Sequence, residues 1–171
     1  MEDYVIVPLI EDITIKDEEH SLRAYWSDYA SLPMMADGVI TWYKRKNGRF
    51  LQGVFNRLEI DTGLNFQRVY DKSEAEIINK RTRQWEDPSW TNYRGVAHWT
   101  AENRQWTLTT LRPIKHARST MVHELGHALG LSHPDDHLQE RDTIMSYFRD
   151  KSNRYFYNKD LDTLTGLYYP G

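Results

Sequence analysis

The chain has 171 residues, a net charge of −3, 39% hydrophobic and 27% charged residues, and no cysteine. That length favours one domain and is enough to bury a core without covalent staples. No basic stripe appears, which argues against a nucleic-acid partner. The apolar run from Tyr4 to Ile10 is short and holds Pro8, far from the roughly 20 apolar residues of a bilayer span. Met1-Glu2-Asp3 lacks the basic region of a signal peptide. Without cysteine, disulfides and thiolate zinc sites are excluded, so any zinc must be held by histidine and carboxylate.

In chain order, residues 1 to 35 are mixed, with an acidic cluster at Asp17-Glu18-Glu19. Val39 to Lys44 reads as a strand entered after Asp37-Gly38. Phe50, Leu51, Val54, Phe55 and Leu58 have helical spacing up to Thr62-Gly63. Leu64 to Tyr70 alternates like a strand, and Glu76 to Lys80 is a weaker one. Val96 to Trp99 and Gln105 to Thr110 follow as two more strands. Pro113 opens a long helical pattern whose apolar face is Met121, Val122, Leu125, Ala128 and Leu129, and Gly130 is placed to end it. The chain then reads as irregular to Tyr157, and a last helix covers about Asp160 to Tyr168. The six Trp and eleven Tyr are expected to pack in the core or line a cleft.

The chemistry concentrates in His123-Glu124-Leu125-Gly126-His127-Ala128-Leu129-Gly130-Leu131-Ser132-His133. His123 and His127 are four apart and project from one helix face, so both imidazoles can reach one tetrahedral zinc. Gly130 permits a left-handed turn that brings His133 back as a third ligand. Three protein ligands leave the fourth position to water, the arrangement of a catalytic rather than a structural site. Glu124, next to the first ligand, is placed to act as a base on that water.

These eleven residues match the metzincin signature HExxHxxGxxH, and the chain resembles that clan from about Val39 to Gly171. Thr143-Ile144-Met145-Ser146-Tyr147 resembles the Met-turn beneath the metal. Ile40-Thr41-Trp42-Tyr43, Leu64-Asn65-Phe66, Ala75-Glu76-Ile77 and Trp106-Thr107 resemble strands of matrixins, and Gly95-Val96-Ala97-His98 their substrate-binding edge strand. Pro134 and Tyr147 resemble serralysins and astacins instead. The resemblance implies an α+β metzincin-type domain: a twisted, mostly parallel sheet of about five strands with an antiparallel edge strand, a long zinc helix, and a small C-terminal subdomain after the third histidine. Within one catalytic domain spanning 1–171, residues 1–35 are an N-terminal extension, 36–133 the subdomain with the zinc helix and 134–171 the subdomain with the Met-turn.

Function follows as an expectation: a zinc endopeptidase with Glu124 as general base, Tyr147 as an oxyanion donor or a displaceable fifth ligand, Met145 as an apolar floor and Val96, Ala97 and His98 in the substrate strand. The cofactor is one Zn²⁺, and calcium is a family habit without a loop motif here. The partner is a peptide or protein substrate, with no nucleic acid or membrane, and the chain is expected to be monomeric. The resemblance implies an extracellular setting. His98 is read as a strand residue rather than a ligand to a second zinc. His116, early in the helix, lies too far from the metal to bind it, and His20 and His137 carry no signal. The alternative is a metzincin-fold module with narrow or lost activity. The extension is either an added structural layer or a segment crossing the cleft with a carboxylate, from Asp3, Asp12, Asp17 or Asp28, on the zinc.

Overall fold

The computed structural model describes residues 38–86, 88, 93–100, 102–131, 133, 141–146 and 149–168, and the backbone of 2–5. The strands are β1 (Glu2–Val5), β2 (Ile40–Lys44), β3 (Phe66–Arg68), β4 (Ile77–Thr82), β5 (Tyr93–Thr100) and β6 (Gln105–Leu111), and the helices are α1 (Arg49–Thr62), α2 (Ala117–Ala128) and α3 (Asn158–Tyr168). One sheet runs in the order β1-β5-β6-β4-β2-β3. The pairs β3–β2, β2–β4 and β4–β6 are parallel, and β5 returns antiparallel to β6. The α+β class and the mostly parallel sheet with its antiparallel strand therefore hold.

Beyond β5 the structure adds a sixth strand. β1 pairs parallel with it, Tyr4 opposite Val96 and Val5 opposite Ala97. The sequence reading left this border open for substrate. Here the residues singled out for substrate pairing have a neighbour from the start of the chain. Of the acidic residues considered for the zinc, Asp3 falls in β1, and Asp12, Asp17 and Asp28 lie outside the described residues.

Alternation along the strands sends one set of side chains toward the helices. Ile40, Trp42, Ile77, Ala97, Trp99, Trp106 and Leu108 share one buried cluster with Leu51, Val54, Phe55 and Leu58 of α1 and Met121, Val122 and Leu125 of α2. Trp42 and Phe66 both pack on Phe55, at 4.7 Å between ring centroids. Side chains of this kind each contribute about 1.5–3 kcal/mol when fully buried. Ile60, off the α1 stripe, is left exposed.

Helix α1 ends as its sequence suggests, with Gly63 left-handed at φ 82° and its N–H on the Glu59 carbonyl. Helix α2 starts later than the apolar pattern suggests. His116 is left-handed at φ 59°, so the helix opens at Ala117 instead of at Pro113. His116 is thus the residue before the helix, not part of its metal-bearing face. A turn of 3-10 helix at Lys72–Glu74, capped by Asp71, was not foreseen.

Candidate metal centre

Helix α2 runs through the core. From Ser119 to Ala128 every residue is buried, so the two helix histidines stand in an environment poor in water. The Nε2 atoms of His123 and His127 lie 3.2 Å apart, and those of His123 and His133 3.4 Å apart. Three nitrogens bound at about 2.0–2.1 Å to one tetrahedral zinc stand about 3.3 Å from each other; these two spacings match that value, and all three ligand atoms lie within 4.8 Å of one another.

The other ring nitrogens explain why these lone pairs converge. His123 Nδ1 lies 2.8 Å from the Ile144 carbonyl, and His127 Nδ1 lies 2.8 Å from the Leu131 carbonyl. A carbonyl only accepts, so each Nδ1 carries the proton and each Nε2 is left with a lone pair. Lone pairs facing each other at this distance repel unless a cation lies between them. The donor set, its tautomers and its spacing all suit a metal. Among the described residues, these three histidines form the one group of His, Cys, Asp and Glu able to share an ion.

The turn that ends α2 builds part of this centre. The Leu131 N–H donates to the Gly126 carbonyl at 2.8 Å and the Gly130 N–H to the His127 carbonyl at 3.1 Å, with Gly130 at φ 113°. This double cap turns the Leu131 carbonyl onto His127 and sends the chain back toward His133. The Gly130 of the signature is therefore needed for its backbone angle, which a residue with a Cβ adopts only under strain.

Two other glycines are needed for space. A Cβ on Gly126 would stand 2.6 Å from Met145 Sδ and 3.4 Å from Phe156 Cε1. Met145 thus packs on the bare helix backbone between His123 and His127. A Cβ on Gly95 would stand 2.9 Å from Glu124 Oε2 and 2.8 Å from Thr120 Cγ2. Glu124, fully buried, is accommodated against the bare backbone of β5. Neither glycine was singled out as functional by the sequence reading, since spacing along one chain does not reveal what packs across from it.

Asp160 was also missed. It is buried at the start of α3, where its carboxylate accepts from the Thr143 hydroxyl, from the Ile144 N–H at 2.8 Å and from the Tyr157 N–H at 2.9 Å. Burial pushes its carboxyl above the usual range, and these three donors pull it back. It fixes the turn Thr143–Ser146, and with it the Ile144 carbonyl that orients His123. Arg149, also buried, adds a second tie, from Nε to Ser119 Oγ at 3.0 Å and from Nη1 to the Ser146 carbonyl at 2.9 Å.

Val96 and Ala97 are buried in β5, beside α2. His98, on the face opposite Ala97, is only half-buried. Burial and then Lys80 hold its imidazole below the usual range, as for a strand residue beside a cation. Tyr147, Ser132 and His137 lie outside the described residues, and no described helix is long and apolar enough to cross a membrane.

No curated relative matches the chain. Among solved structures it is similar to the crystal structure of myroilysin, with 16% identity and a TM-score of 0.37 over 99% of this chain and 77% of that one. The model of the matrixin peptidases matches residues 40–169, a stretch that runs from β2 through the three histidines to the end of α3. The chain belongs to the matrixin family of metallopeptidases.

Proposed function

We propose that the chain is a zinc-dependent endopeptidase in which Glu124 is the general base. The observation that carries this reading is the fully buried Glu124 beside three convergent histidines. Holding a metal does not require a fourth, unliganded carboxylate there, whereas hydrolysis does. Zinc held by His123, His127 and His133 would supply Lewis acidity, lowering the pKa of water toward about 7 and polarising a carbonyl. Glu124 takes the proton from water as it adds to the scissile carbonyl carbon. It then delivers the proton to the amine nitrogen as the C–N bond breaks. His123 and His127 stay neutral and correctly turned through their bonds to Ile144 and Leu131. Tyr147, two residues after Met145, donates a hydrogen bond to the oxyanion. Met145 keeps the floor of the site dry.

Substrate is read as an extended peptide pairing with β5 at Val96, Ala97 and His98 by strand addition. The same edge is where β1 pairs, and one strand edge cannot serve two partners. On this reading residues 2–5 must leave the edge before substrate enters. If they never leave, the chain is the alternative, a matrixin-fold module without turnover. A zinc-loaded chain beginning at Met34 should therefore cleave a peptide library with a higher kcat/KM than the full chain, and a chelator should silence both. Equal rates would show that β1 does not obstruct the site. Loss of folding would show that β1 is part of the core and that the latency idea fails.

A further inference from the structure

The parallel strands β2, β4 and β6 end on a common side, where Lys44 closes β2, Arg81 stands near the end of β4 and Arg112 follows β6. The first turns of α1 and α2 meet there, with the Arg118 guanidinium 5.0 Å over the Phe50 ring. Between them lies an open cavity of about 990 Å³ lined by eight Lys and Arg side chains and no acidic residue. The whole chain carries 25 acidic and 22 basic residues, so this segregation runs against its overall charge.

Three further observations point to a ligand. Asn79 lines this cavity at 2% exposure, and neither its amide nitrogen nor its amide oxygen has a hydrogen-bond partner. A buried amide without partners is costly, and a ligand's polar groups would recover that cost. Helices α1 and α2 both open here with no side-chain cap and no acidic residue in the first turn, so their free N–H groups add positive potential. The cations also repel one another. Lys44 is held below the usual lysine range by burial and then by Arg81, Arg112 and Arg68, and Arg81 is lowered by burial and then by Arg112. Such crowding is relieved when an anion sits among them.

We propose that this cavity binds a compact polyoxyanion, a small molecule bearing several phosphate- or sulfate-type groups, at a site separate from the metal centre. Arg81 and Arg112 meet its oxygens with paired N–H groups, Lys44 supplies a point charge, and the Asn79 amide donates one further hydrogen bond. The helix N-termini face the same charge.

The test is a calorimetric titration of the zinc-loaded full chain with myo-inositol hexasulfate at fixed ionic strength, since sulfate esters hold zinc poorly and leave the metal centre intact. Saturable binding at one site is expected. Arg81→Gln with Arg112→Gln should weaken it by about tenfold or more, with zinc content unchanged. Lys44→Met is the second probe should the double variant fail to fold, and it too should weaken binding. Arg57→Gln removes a cation that lies over Tyr155, away from the cavity, and should leave affinity unchanged. Absence of saturable binding, or an equal loss with Arg57→Gln, would overturn the proposal by reducing it to net charge.

Discussion

Replacing Glu124 with glutamine is expected to reduce peptide cleavage by about 10²- to 10⁴-fold, the span of general acid–base catalysis, while zinc stoichiometry and thermal midpoint stay close to those of the parent chain. Glutamine keeps the length and shape of a side chain that is wholly buried against Gly95, so the packing of α2 on β5 is retained. It removes the ability to take a proton from water and return it to the leaving amine. The three imidazoles and their bonds to Ile144 and Leu131 are untouched, so the metal should stay. A fall in kcat with unchanged KM would mark an interaction made only in the transition state. Cleavage at the parent rate would remove Glu124 from the mechanism.

Asp160→Asn is expected to act on the same centre from below. The carboxylate accepts three hydrogen bonds through two oxygens, two of them on one oxygen. An amide has one accepting oxygen, and its NH₂ would face a donor. Even with its oxygen kept toward the Ile144 and Tyr157 N–H groups, the buried Thr143 hydroxyl loses its acceptor and faces the NH₂, at a cost of about 1–3 kcal/mol. For a chain of this size the thermal midpoint should fall by about 3–10 °C. Because Ile144 both donates to Asp160 and accepts from His123, zinc affinity should fall by about 10- to 100-fold, the usual effect of disturbing the groups behind a metal ligand. Differential scanning calorimetry and competition with a zinc-binding dye measure the two. An unchanged midpoint with unchanged zinc affinity would show that the Thr143–Ser146 turn holds itself.

The centre was legible in the sequence where its geometry is local. A four-residue step on a helix and a glycine that permits φ 113° are rules of one segment, and together they bring three histidines within reach of one ion. Strands β2 to β6 and the helix α1 were legible for the same reason, through periods of two and 3.6 residues. What was missed depends on segments far apart in the chain. Asp160 serves Thr143 and Ile144 across an irregular stretch that no periodicity describes. Gly95 is small because Glu124 comes up against it, and Gly126 because Met145 does. Tyr4 pairs with Val96, and nothing in a four-residue strand names its partner. The start of α2 was placed too early because apolar spacing does not register the backbone angle of His116. The basic cavity shows the limit most clearly. Its cations come from the ends of three strands and the start of a helix, so they form no stripe in the sequence and converge only when parallel strands and helix N-termini share one end.

The central claim is that His123, His127 and His133 hold one catalytic zinc. Metal analysis of the purified full chain, followed by X-ray absorption at the zinc edge, tests it most directly. The account predicts one zinc per chain, with three imidazole nitrogens at about 2.0–2.1 Å and a single oxygen completing the shell. A chain that takes up no zinc when it is supplied, or a shell with fewer than three imidazoles, would contradict it.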